Sequence, residues 1–149
     1  MAPKIKPPLH PTGLVGLKRI DPQLARVGSQ FWQLIWKREA ATLDQKYHYL
    51  VALGVGVGAG RLRQATRELI KAYAAGVTVE QMDEVFSLLV WMQGIPTFSS
   101  EIAPSSLFAA YQLIKELEKE GLPKEEVIKR LLEKYGESNP EVAIRLGSE

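Results

Sequence analysis

Between Gly54 and Gly60 every second residue is glycine, with Val55, Val57 and Ala59 in between. This stretch constrains the fold more than any other. A period of two suggests a strand, and four glycines within seven residues weaken a helix by about 1 kcal/mol each relative to alanine. Yet the residues on either side recur at helical spacing. Leu43, Tyr47, Leu50, Val51 and Leu53 precede the stretch, and Leu62, Ala65, Leu69, Ile70 and Tyr73 follow it. Two helices meeting at a glycine-rich junction, spanning Leu43 to Gly76, reconcile these patterns. The glycines are tolerable where a missing side chain lets another helix backbone come close. Thr42 is the expected N-cap of the first helix, with Gln45 three residues on as in a capping box. Gly76 is the expected C′ residue of the second, and Thr78 with Gln81 forms a further capping box for the helix after it.

The run Gly54-Val55-Gly56-Val57-Gly58-Ala59 also fits the loose dinucleotide pattern G-x-G-x-x-G/A. That fingerprint needs a βαβ unit and an acidic residue about 20 positions on, at the end of a second strand. Glu80 and Asp83 stand at that distance but begin another helix, and no second strand is visible. The helical reading is preferred.

The rest of the chain reads as helix. Asp21 caps a helix with Pro22 at its first position, expected to run to about Ala40 with Leu24, Val27, Phe31, Leu34 and Ile35 on its apolar face. Trp32 and Trp36 widen that face. They read either as core or oligomer interface, or more sharply as the wall of a substrate pocket. Val79 to Gln93 is apolar almost throughout its second half and is expected to be buried on most sides. Gly94 and Pro96 end it. A loop over Thr97 to Glu101 follows, then a helix opened by Pro104 and ended by Gly121, and a short amphipathic helix over Pro123 to Tyr135. The expected architecture is all-α, with five or six helices in one domain over residues 21–136. A Pro-rich basic arm precedes it (residues 1–20) and a tail follows (residues 137–149).

Composition narrows the partners. A net charge of +2 is too small to make nucleic acid the expected partner. No apolar run is long enough to span a bilayer, so no membrane partner is expected. The absence of cysteine excludes thiolate chemistry and disulfides and fits a cytoplasmic chain. A single asparagine and the Glu/Lys-rich C-terminal third lean towards a thermophilic composition. No His/Asp/Glu cluster has metal-ligand spacing, so neither metal nor cofactor is expected.

Four segments together resemble a known family. They are Leu43-Asp44-Gln45-Lys46, Gly60, Ala75-Gly76-Val77-Thr78 and Gln93-Gly94-Ile95-Pro96. Their joint spacing is similar to that of the carboxymuconolactone decarboxylase and alkylhydroperoxidase D-like (AhpD-like) superfamily, over a little more than a third of the chain. The resemblance implies a helical bundle that assembles as a symmetric homo-oligomer, a trimer or hexamer. The peroxidase branch of that family uses two cysteines, a histidine and a glutamate. The matching positions here are Arg61, Gln64, Glu68 and Tyr49, and none of the four is retained. Thiol peroxidase activity is therefore excluded. The decarboxylase branch usually keeps the histidine, which here is Glu68.

Two functions follow as expectations. One is an acid–base enzyme, of decarboxylase or lactone type, acting on a small organic acid or lactone. Glu68 would move the proton, its pKa raised by burial between helices, while Arg61 holds a substrate carboxylate and Gln64, His48 and Tyr49 orient or relay. The other is a non-catalytic oligomeric scaffold or small-ligand-binding protein, in which Arg61 and Glu68 are ordinary charges near a helix start and His48 is a packing residue.

Overall fold

The computed structural model describes residues 3–146, and the ends of the expected arm and tail, residues 1–2 and 147–149, lie outside the described residues. Among the described residues there are nine α-helices and no strand. In order they are α1 (Gly13–Ile20), α2 (Pro22–Trp36), α3 (Gln45–Gly58), α4 (Leu62–Ala74), α5 (Val79–Gln93), α6 (Ile95–Thr97), α7 (Ser106–Lys119), α8 (Lys124–Tyr135) and α9 (Pro140–Leu146). The expected five or six helices correspond to α2, α3, α4, α5, α7 and α8. Among the described residues no helix is long and apolar enough to cross a membrane.

The glycine-rich stretch is helical up to Gly58, and one glycine carries the close approach. A Cβ on Gly56 would stand 3.4 Å from the Cβ of Ala65, whereas one on Gly54 would meet nothing within 4 Å. The helix ends in a Schellman motif. Gly60 takes φ +72°, its N–H donates to Val57 O, and the Arg61 N–H donates to Gly56 O at 2.7 Å. Gly76 repeats the motif at the end of α4.

α4 is the central helix. It packs on α3, α7 and α8 and buries Ala65, Thr66, Glu68, Leu69, Ile70, Ala72 and Tyr73. α5 has the expected bounds, with the Thr78/Gln81 capping box at one end and Gly94 at the other.

Several expectations need correction. α5 is not buried on most sides. Met82, Phe86 and Leu89 form its one buried stripe, spaced to share a face. Leu88, Met92 and the 83 %-exposed Trp91 project from the helix with nothing among the described residues to cover them. Asp44, not Thr42, caps α3, and without a side-chain bond, while the Gln45 amide that would complete a capping box with Thr42 bonds the Ile5 backbone instead. α2 ends at Trp36 instead of Ala40, and its departure there lets Trp36 stack on Tyr49 with ring centres 5.6 Å apart. The segment read as a loop is α6 followed by a π-helical turn over Phe98–Ile102, closed by Ala103 N–H to Phe98 O at 2.8 Å. Ser105, not Pro104, initiates α7.

The arm is more ordered than a surface tail. Its second half is α1, which pairs with α2 as a helical hairpin. Its first half crosses the core as a strap. Leu9 is only 2 % exposed. The Gln45 side chain accepts from the Ile5 N–H and donates to the Ile5 carbonyl, both at 2.9 Å. Arg67 Nη2 donates to the His10 carbonyl and to Glu137 Oε1, both at 2.8 Å, while the His10 N–H donates to the same Glu137 oxygen.

Candidate functional site

The strap and the α1–α2 hairpin stand over α3 and α4 and leave a cleft of about 1210 Å³ between them. The core side of the cleft follows from helical spacing. His48 and Tyr49 come from α3, and Gln64, Glu68 and Lys71 stand on successive turns of α4. Trp32 and Trp36 line the opposite wall.

Glu68 is the most constrained polar group in the cleft. It lies on the central helix and is 5 % exposed. Its Oε1 accepts from Lys71 Nζ at 2.8 Å, and its Oε2 is buried with no partner among the described residues. The Lys71 ammonium lies 5.7 Å from the Trp36 ring centre and 5.5 Å from that of Tyr49, so aromatic faces and a carboxylate share the cation.

Tyr49 sits beside this pair. Gln45 Nε2, the same group that holds the strap, donates to its hydroxyl at 2.9 Å. The phenol therefore accepts from Gln45 and keeps its own proton for donation. Burial pushes the Tyr49 pKa up and the Glu68 charge adds to the rise, outweighing the bond from Gln45. At neutral pH Tyr49 is a neutral hydrogen-bond donor.

The structure thus brings Glu68, Tyr49, His48 and Gln64 to one cleft. His48 is half-buried, edge-on to Trp36 with centroids 6.2 Å apart, and Gln64 is exposed at the margin. Arg61 stands apart. Its backbone, at ψ 66°, is not yet helical, and its exposed side chain is not on the cleft lining. Sequence reasoning missed Lys71 and Arg67. The only signal for Lys71 was its position three residues after Glu68, and that spacing usually marks a solvated surface pair. Arg67 Nη1 is buried with no partner among the described residues, although Nη2 is held by Glu137 and the His10 carbonyl.

A second, more open groove of about 540 Å³ runs between α5 and α7. There Tyr111 donates to Asp83, and Lys115 donates to both, so the polar groups satisfy one another. Among the described residues no group of three or more His, Cys, Asp or Glu side chains is placed to hold a metal.

The chain matches no family model, no curated protein and no solved structure, so a functional reading rests on this geometry.

Proposed function

We propose that this chain is a helical acid–base enzyme, similar to the carboxymuconolactone decarboxylase family, acting on an organic acid or lactone in the cleft beneath the strap. The observation that carries the reading is the Glu68 carboxylate. It is buried and held at one oxygen by Lys71, and it has an unpartnered second oxygen beside a cleft. A fixed carboxylate with one unpartnered oxygen is suited to accept a proton from a bound substrate and return it at another atom. Lys71 orients it and compensates its charge. Tyr49 supplies a neutral donor for a substrate oxygen. The substrate carboxylate is assigned to the Lys71 and Arg67 side of the cleft, since Arg61 lies outside it.

Homo-oligomeric assembly belongs to the same proposal. The apolar side chains of α2 and of the α5–α6 corner, Phe31, Leu34, Trp91, Met92 and Ile95 among them, are exposed, and a subunit contact would remove them from water.

The ion pair also supports a second reading. Glu68 already engaged by Lys71 is what a binding protein without catalysis would contain. Glu68→Gln separates the two. For the enzyme, the substitution abolishes turnover of the acid or lactone that a substrate screen identifies, with binding retained. Turnover equal to that of the unaltered protein would overturn the catalytic assignment of Glu68.

A further inference from the structure

The shape and lining of the cleft say more about its ligand than "organic acid". It is larger than the roughly 300–1,000 Å³ typical of small-molecule pockets. A short acid would leave most of its wall in contact with water. That wall is largely hydrocarbon and aromatic: Leu14, Leu17, Phe31, Trp32, Ile35 and Trp36 contribute to it. Phe31 and Ile35 remain substantially exposed, so the hairpin presents an apolar face to the cleft without filling it. Charge on the lining is one-sided. Lys4, Lys6, Lys37, Arg67 and Lys71 stand there, and Glu68 is the one carboxylate. Glu68 is neutralised by Lys71, and Arg67 retains a buried N–H donor with no acceptor among the described residues.

From this juxtaposition we infer that the cleft takes an amphipathic carboxylate, with its acid head among the cationic side chains and a hydrocarbon body along the Trp32 and Trp36 wall. This deepens the reading above and rests on the cleft being the functional site. The head pairs with cationic side chains of the lining in charge-assisted bonds. The body removes the aromatic wall from water. A cationic amphiphile of the same length meets a lining whose charges outside ion pairs, Lys4, Lys6 and Lys37, are all positive, and an uncharged one gains no charge-assisted bond there. Leu24, Val27 and Leu34 are not part of the lining, so the outer surface of α2 stays available to a second copy of the chain while the cleft is filled.

The test is a binding series in the full-length protein carrying Trp91→Phe. This removes the highly exposed tryptophan and leaves Trp32 and Trp36, both on the cleft wall, as the fluorophores. Unbranched alkanoates from four to ten carbons are titrated below their micellar concentrations, with alkylamines and alcohols of equal length alongside. The affinity of the acids is expected to rise about threefold per added methylene, slightly less than full burial of each CH₂ would give. Amines of equal length should bind at least tenfold more weakly. An affinity independent of chain length, or an amine binding as tightly as the acid, would overturn the inference. The double variant Glu68→Gln/Lys71→Met, which leaves neither charge unpaired, should narrow the preference for acid over alcohol. Trp32→Ala, at a half-buried position, should flatten the chain-length dependence, and a slope unchanged in that variant counts against the assigned wall. Failure here is distinct from failure of the catalytic reading. A flat series with turnover of a short acid lost in Glu68→Gln rejects the amphipathic ligand alone. A steep series with turnover unaffected in Glu68→Gln rejects only the catalytic role.

Discussion

Replacing Lys71 with methionine removes the ammonium that holds Glu68 and keeps most of the apolar stem. In the folded protein the Glu68 side chain is 7 % exposed and that of Lys71 17 %. Breaking a buried pair by removing one partner costs roughly 3–5 kcal/mol, because the other charge is left without compensation. The partial exposure of Lys71 places this case at the lower end, at about 3 kcal/mol, including the lost attraction to the Trp36 and Tyr49 rings. Glu68→Gln keeps the shape and a neutral acceptor for Lys71, so its cost is about 1.5 kcal/mol. In the double variant no charge is stranded and the cost is about 2 kcal/mol, well below that of the two single changes combined. Urea unfolding at constant pH measures all four proteins. In a thermal melt the Lys71→Met loss corresponds to a fall of about 6–12 °C. Additive single variants, or a Lys71→Met cost below about 1 kcal/mol, would show that the pair is solvated and that Glu68 does not lie in the dry setting argued above.

Four further outcomes follow from the structure. Leu9→Ala should cost about 2–4 kcal/mol through the cavity it leaves and should raise hydrogen exchange at Ile5 and His10 before the core opens; unchanged exchange there would show that Leu9 does not pin the strap. Gly54→Ala should stabilise α3 by about 0.5–1 kcal/mol, since nothing stands within 4 Å, while Gly56→Leu should destabilise by about 2 kcal/mol or more by driving α3 from Ala65; denaturant midpoints decide both. Burial would raise the Glu137 pKa, but bonds and charge from Arg67, with help from the His10 N–H, hold it below the usual carboxylate range. Its stabilising contribution is therefore present above the ordinary glutamate pKa and lost as pH falls through the depressed one, so the stability gap between Glu137→Gln and the unaltered protein should close in acid. Trp91→Glu should shift light-scattering mass towards the monomer if the α5–α6 corner is an oligomer contact, and an unchanged mass removes that corner from the interface.

The helices that could be read from sequence are those whose ends carry local chemistry. α5 was legible to the residue because Thr78, Gln81 and Gly94 terminate it by short-range bonds. α4 and its Schellman ending were legible for the same reason. Elements decided by distant partners were not. Thr42 and Gln45 satisfy the capping-box spacing, yet Gln45 spends its amide on the Ile5 backbone and on Tyr49, at a distance no local rule includes. α1 was hidden because four prolines precede it and two glycines lie within its eight residues, and only pairing with α2 makes it helical. The outer face of α5 misled differently. Apolar residues indicate a need for cover, and sequence does not say whether the cover lies in the same chain.

The same distinction explains the candidate site. Glu68 was singled out because the resemblance aligns it with the family's histidine, and burial between helices was the expectation attached to it. Its partner was not, because a lysine three residues later is the commonest surface arrangement. It becomes a buried pair only because Trp36, arriving from a helix that ends early, and Tyr49 close over it. Arg61 drew attention through the resemblance, which aligns positions along the chain. The backbone there is occupied in ending α3, and a residue making that turn is not carried on the face that Gln64 and Glu68 share. The strap carries the strongest consequence. A Pro-rich segment with one leucine reads as a tail, but burying Leu9 roofs the cleft, and Gln45 then bonds the roof and the Tyr49 hydroxyl with one amide. Detaching the strap therefore removes the hydrogen bond from the Gln45 amide to Ile5 and frees that amide to move away from Tyr49. Access to the cleft and the orientation of its phenol are set by the same few polar contacts.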